Sequence, residues 1–220
     1  MTTTTRVSPT FPAGQAAPLY KSHLKRVLDL AIVAIAAPVV LPVVLLLVAI
    51  TRAQGGPAFF GHERIGQNGR VFRCWKVRTM VPDADEVLAR HLAGDPAAAA
   101  EWERDFKLAD DPRVTPLGRF LRETSLDELP QLWNVVAGDM SLVGPRPVTR
   151  PELARYHGFQ DHYLAVKPGI TGLWQVSGRN DVSYEERVRL DVAYAEGCCL
   201  AEDVSILFRT VVAVLRRTGR

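Results

Sequence analysis

Asp127 and Glu128 stand side by side in the run TSLDELPQLWN, Thr124 to Asn134, and Pro130 governs where a helix can begin around them. If Ser125 capped that helix and Glu128 closed a capping box, Pro130 would fall at the fifth helical position, where a backbone donor is wanted. With Asp127 as the cap, Pro130 falls in the first turn, whose N–H groups have no partner within the helix in any case. The expectation is a helix that starts at Asp127. Its free donors and positive dipole end suit phosphate oxygens. A carboxylate nucleophile beside a second carboxylate able to hold Mg²⁺ would there meet a diphosphate. The competing explanation is purely local, because Asp is a favoured cap and Glu is favourable in a first turn.

Arg146 is the second chemical candidate. Pro145 and Pro147 restrict its backbone on both sides. A rigidly presented guanidinium suits bidentate phosphate binding, and the bland alternative is a solvated arginine in a turn. Lys76, Arg78, Arg122 and Arg179 can complete a phosphate clamp, although each taken singly reads equally as a solvated charge. Asp110-Asp111 precedes Pro112, so a turn is expected there rather than a metal-binding pair. The five histidines are scattered without HExxH or any ligand-like grouping, so no zinc site is expected, and neither a GxSxG nor a Walker pattern occurs. Cys74, Cys198 and Cys199 have no CxxC spacing, and their odd number argues against a disulfide framework and for a reducing compartment. Cys198 and Cys199 read as small buried apolar residues. Lys and Arg exceed Asp and Glu by 27 to 24, too small a bias to indicate nucleic acid.

Ahead of these residues runs an uncharged apolar block, Ala31 to Ile50, entered through Lys25-Arg26 and left through Arg52. It reaches the ~20 residues that a bilayer-crossing helix needs, yet Pro38 and Pro42 lie in its middle. An interior proline costs ~3 kcal/mol or more in water, and in hydrocarbon the orphaned carbonyl must find another partner. One arrangement is a helix broken at Pro38 that enters one leaflet and returns. Both basic flanks, Lys21 to Arg26 and Arg52 to Arg64, then face the cytosol, whereas a plain span sends one of them outward. Asp29, just inside the apolar boundary, can pair with Arg26. Hydrophobicity continues past Ala34-Ile35-Ala36, so an uncleaved anchor is expected rather than a signal peptide.

The organisation expected is a disordered tail over 1–20, a membrane anchor over 21–52 and one domain over 53–220. That domain is α+β and mainly helical, with a small strand element. Val71 to Val77 reads as a strand ending in Lys76 and Arg78, and a helix runs from Pro82 toward His91. Ala97 to Lys107 is a charge-mixed helix. Thr115-Pro116 opens a helix carrying Leu117, Arg119, Phe120, Leu121 and Arg122. A helix follows over 150–157, and the Gly-rich Lys167 to Asn180 is expected to be non-helical. Ser183 and Glu186 form a capping box for a helix through Tyr194. The chain closes in an amphipathic stripe of Val204, Leu207, Phe208, Val211, Val212 and Leu215, which fits a core helix or a membrane-surface helix.

KRVLDL before the apolar block, RCWKVRTM, DPRVTPLGRFLRETSLDELPQLWNVVAGDMSLVGPRP and KPGITGLWQVSGR, in that order, resemble the bacterial sugar transferase family. These are the monotopic polyprenyl-phosphate phosphoglycosyl transferases, and the resemblance covers about Lys21 to Arg217. It implies an enzyme on the cytosolic face of the bacterial inner membrane that moves a hexose 1-phosphate from a UDP-sugar to undecaprenyl phosphate and releases UMP. Such a step opens lipid-linked assembly of exopolysaccharide, capsule or O-antigen. The resemblance further implies an Asp-Glu dyad, matched by Asp127 and Glu128, in which the Asp becomes a phosphosugar-enzyme and Mg²⁺ accompanies the acids. It implies that Arg146 contacts the nucleotide diphosphate, followed by Arg122, Lys76 and Arg78. It also implies a re-entrant helix hairpin. Ala37 stands where some members carry a serine before the kinking proline, so the break can lean on Pro42 instead.

Two other readings remain. One is a non-catalytic membrane scaffold that recruits polysaccharide enzymes through the terminal helix. The other is a single-displacement transferase in which Asp127 only binds metal. The partners expected are a UDP-sugar, undecaprenyl phosphate and membrane lipid, with no nucleic acid, and a homo-oligomer stays open.

Overall fold

The computed structural model of the chain describes residues 20–105, 108–178 and 182–215. The tail expected to be disordered lies outside them apart from Tyr20. A π-helical turn, Tyr20–Leu24, leads into α1, Lys25–Ala53, which continues through Pro38 and Pro42. The break expected at Pro38 is not seen. Each proline deletes a single donor, its own φ of about −65° is a helical value, and the flanking rungs keep the helix running.

Both ends of α1 are held on the same body. Asp29 and Val33 near its start and Leu47 and Thr51 near its end are buried, while Ile35, Val39, Leu41 and Leu45 between them are 60–79% exposed. At the first end, Lys25 Nζ donates to Asp203 at 2.5 Å and Arg26 donates to the carbonyls of Val135 and Val136. The Leu142 N–H donates to Asp29 Oδ1 at 3.1 Å. The Asp29–Arg26 pair expected from their spacing does not form, because a buried carboxylate and a guanidinium each find backbone partners on the body. At the other end Arg78 donates to the carbonyls of Thr51, Gly55 and Pro57, closing the last turn of α1.

Strands β1, Phe59–Ile65, and β2, Val71–Val77, form an antiparallel hairpin in which Phe59 faces Val77 and Ile65 faces Val71. Its turn uses left-handed Asn68 and Gly69, with φ of 56° and 77°. FFGHERI shows no apolar alternation and is mostly exposed, so β1 is not legible as a strand until β2 lies beside it. Helices α2, Ala84–Gly94, and α3, Pro96–Asp105, follow. Then comes α4, Pro116–Thr124, capped by Thr115 Oγ1, which accepts from the Gly118 N–H at 2.9 Å. A 3₁₀ turn, Leu126–Glu128, and α5, Gln131–Ala137, lead to the short strand β3, Ser141–Val143. Helix α6, Arg150–Ala154, is shorter than the expected 150–157, because His157 and Gly158 have φ of 43° and 93°. Helix α7 is Gln160–Leu164.

The expected non-helical stretch 167–180 is in fact partly regular, with strand β4, Gly169–Thr171, parallel to β3, and helix α8, Leu173–Val176. Its glycines serve close packing: a Cβ on Gly169 would lie 2.1 Å from Gly144 N, and one on Gly172 would lie 2.2 Å from Gly144 O. Helix α9, Tyr184–Gly197, starts at Ser183, whose Oγ accepts from the Glu186 N–H at 3.2 Å. Helix α10, Leu200–Leu215, has two apolar faces. Ile206 is buried and Leu207 packs on the main core, whereas Leu200, Val204, Phe208 and Val211 are more than half exposed. The core-helix expectation therefore holds for one face of α10, and the other apolar face is exposed.

Candidate active site

A single amide clamp determines which side chains meet. Asn134 on α5 is 1% exposed; its Oδ1 accepts from the Trp75 N–H at 3.1 Å and its Nδ2 donates to the Arg73 carbonyl at 2.8 Å. The clamp ties α5 edge-on to β2, so the turn that precedes α5 lies against the far end of that strand. Lys76 thereby reaches Glu128 Oε1 at 2.7 Å and Asp127 Oδ2 at 3.5 Å.

The local backbone differs from expectation. Asp127 is not a cap: Ser125, left-handed at φ 58°, ends α4, and Asp127 and Glu128 sit inside the 3₁₀ turn. Pro130 has no N–H, so the chain bridges it with short-range bonds, Leu129 N–H to Leu126 O and Trp133 N–H to Pro130 O, instead of a continuous α-helical ladder. Asp127 is therefore held by its turn and its neighbours. Its side chain is 8% exposed, against 33% for Glu128. Burial raises the Asp127 carboxyl above the usual carboxylate range, Lys76 offsets part of this, and the Glu128 charge adds to it. Burial alone would lower the Lys76 ammonium, but the two carboxylates outweigh it and hold it above its ordinary value.

Arg122 joins this group through α4. A Cβ on Gly118 would lie 1.9 Å from Thr79 O, so only glycine lets α4 abut the end of the hairpin. Arg122 Nε then donates to Thr79 Oγ1 at 3.0 Å, and its charge acts on Asp127. Arg146 is exposed, with its guanidinium carbon 6.0 Å from the Trp174 ring centroid, and it feels the charge of Glu128. The structure thus gathers Lys76, Arg122, Asp127, Glu128 and Arg146. Arg78, expected in the clamp, instead directs its Nη groups to the carbonyls of Thr51, Gly55 and Pro57, at and just beyond the end of α1. Arg179 lies outside the described residues. The Asp110-Asp111 turn is seen, with Asp111 bound to Arg113 at 2.8 and 2.6 Å. Asn134 and Thr79 were not singled out from sequence; an asparagine inside the otherwise apolar QLWNVVA was the one available signal.

Among the described residues no three His, Cys, Asp or Glu side chains converge as a metal cluster. Mg²⁺ at a phosphate site asks for less, one or two carboxylates plus phosphate oxygens. The adjacent acids fit that need: Glu128 engages Lys76 through Oε1, and its side chain is a third exposed.

Residues 20–217 match the family described as Bacterial sugar transferase, and the chain belongs to that family. It is 54% identical to the UDP-galactose-lipid carrier transferase of Erwinia amylovora, over 89% of this chain and 41% of that protein. It is also 54% identical to the undecaprenyl-phosphate galactose phosphotransferase of Salmonella typhimurium, again over 89% of this chain and 41% of the relative. The exopolysaccharide production protein ExoY of Sinorhizobium fredii is 47% identical over 89% of this chain and 87% of its own length. The chain thus spans about two fifths of the first two relatives.

Proposed function

We propose that this chain transfers a hexose 1-phosphate from a UDP-sugar to undecaprenyl phosphate on the cytosolic face of the bacterial inner membrane, opening exopolysaccharide, capsule or O-antigen assembly. The observation that carries this reading is the buried Asp127 beside Glu128, with Lys76 across both and Arg122 and Arg146 around them. The relatives' names agree, since two refer to lipid-carrier or undecaprenyl-phosphate transfer of galactose.

The chemistry takes two displacements. An Asp127 carboxylate oxygen attacks the sugar-bearing phosphorus, the bond from that phosphorus to the bridging oxygen breaks, and UMP leaves with the electron pair. An oxygen of undecaprenyl phosphate then attacks the same phosphorus, releasing lipid-diphosphate-sugar and restoring Asp127. Lys76, Arg122 and Arg146 neutralise the charge that two phosphates bring together. Glu128 and Asp127 would hold Mg²⁺, which when bound supplies further charge neutralisation to the phosphate oxygens. Burial of Asp127 strips water from the nucleophile, and Lys76 favours its ionised form.

A membrane location is supported by α1, long and apolar enough to cross a bilayer, whose uncovered middle separates two ends packed on one body. That packing supports keeping both ends on one side, by bending of the continuous helix at its prolines rather than by the break expected at Pro38. The exposed apolar face of α10 suits the same lipid surface. Incubation with labelled UDP-hexose and no lipid acceptor is expected to leave sugar phosphate on Asp127 with release of UMP. Turnover without any such adduct would favour single displacement instead.

A further inference from the structure

Arg187 on α9 takes no part in the chemistry described above. Its guanidinium carbon lies 4.7 Å from the Trp174 ring centroid, the ring that Arg146 approaches to 6.0 Å. Two arginines therefore share one indole, and each repels the other. Positive groups this close normally have an acid between them, but the neighbouring acids are engaged. Glu152 binds Arg64 at 3.0 Å and Thr149, Glu128 binds Lys76, and Asp191 Oδ2 accepts from Tyr156 at 2.8 Å. Asp191 keeps a buried Oδ1 without a partner, yet burial raises its carboxyl to about 7, so at neutral pH it is only a partial counter-charge.

Three N–H donors around this ring lack acceptors. Nε and Nη2 of Arg187 and Nε1 of Trp174 are all buried without a hydrogen-bond partner among the described residues. Buried donors left unmade are costly, and a phosphate oxygen is the acceptor that matches a guanidinium fork. Val188 and Tyr184, on either side of Arg187, pack in a cluster with Tyr156, Tyr163, Val148 and Ile65 that contains no α1 residue, whereas the other two apolar clusters both do.

We infer that Arg187, with Arg146 and Trp174 Nε1, forms a second phosphate subsite that receives the nucleotide-side phosphate of the donor and holds UMP until it departs. This rests on the phosphotransfer reading, in which the sugar-bearing phosphate sits at Asp127. Arg146 links the two: its guanidinium carbon stands 6.0 Å from the Trp174 ring that Arg187 approaches to 4.7 Å, and the Glu128 charge acts on it.

The test uses the full chain in detergent micelles, with UMP as the probe in isothermal titration. Arg187→Met keeps apolar cover over Trp174 and Tyr184 but removes the donors, and Arg187→Lys returns the charge without the fork. UMP affinity is expected to fall at least tenfold in the Met variant, about 1.4 kcal/mol, and to recover partly in the Lys variant. Discharge of a preformed phosphosugar adduct to undecaprenyl phosphate should keep its wild-type rate. Unchanged UMP affinity in a Met variant that melts like wild type overturns the inference. A loss confined to the discharge step also overturns it, by assigning the subsite to the lipid's phosphate. If the Met variant does not fold, the Lys variant decides: weaker UMP binding supports the subsite and wild-type binding refutes it. A wild-type protein that forms no adduct and binds no UMP would instead remove the phosphotransfer reading beneath.

Discussion

Replacing Asp127 by Asn separates catalysis from stability in a way the geometry makes quantitative. The carboxyl is 8% exposed, and burial holds its folded-state pKa above that of the unfolded chain. An acid shifted upward favours folding in its protonated form. That contribution is complete below the unfolded value of about 3.9 and is lost as pH rises through the raised folded value. Asn mimics the protonated form at every pH. Against this stands the loss of the 3.5 Å contact to Lys76, which keeps its shorter 2.7 Å contact to Glu128. A contact of that length beside a partly exposed lysine contributes about 1 kcal/mol at most. Asp127→Asn should therefore melt no more than about 2–4 °C below wild type at pH 7, the equivalent of that 1 kcal/mol, and any excess stability over wild type should vanish toward pH 4. Turnover should fall by at least about 10³-fold, some 4 kcal/mol of barrier. Thermal melts across pH and UMP release on the same preparation check both halves. A variant that melts many degrees lower at neutral pH would show that the ionised side chain is a net stabiliser, and a variant that turns over normally would remove Asp127 from the chemistry.

Lys76→Met leaves two neighbouring carboxylates without their cation. With the lysine side chain 37% exposed, the expected cost after solvent screening is about 1–2 kcal/mol. The acid limb of the pH–rate profile should also move to higher pH, because Lys76 no longer lowers the Asp127 pKa. Asn134→Ala deletes bonds of 3.1 and 2.8 Å to Trp75 and Arg73, and is expected to lose about 2–3 kcal/mol in a denaturant titration together with turnover, as Lys76 slips from Asp127. Gly169→Ala drives a Cβ to 2.1 Å from Gly144 N and should cost about 3 kcal/mol. Gly94→Ala at the end of α2 meets nothing within 4 Å and should be neutral or stabilising by about 0.5–1 kcal/mol in the same melts.

Much of the local structure was legible because it depends on near neighbours. The strand over 71–77, the helix after Thr115-Pro116 and the Ser183 cap rest on alternation, a proline in a first turn and a hydroxyl three residues before the N–H that donates to it. The partners of charged side chains were not. Spacing pairs Asp29 with Arg26, whereas in space Asp29 accepts from the Leu142 N–H; Arg78, expected at phosphate, donates to carbonyls where α1 ends. The glycines of 167–180 suggested irregular chain, yet at Gly169 and Gly172 they allow two backbones to approach closely.

From the sequence alone came the acids Asp127 and Glu128, the proline that disturbs the helix behind them, and the apolar block of α1, since residue type and spacing of a few positions suffice for these. Tertiary structure decided the rest: that Asn134 sets Lys76 against both acids, that the two ends of α1 rest on one body, and that Arg146 and Arg187 meet at Trp174. Those contacts join residues far apart along the chain, and the free energy that selects them is desolvation of charge and close packing, neither of which local pattern encodes.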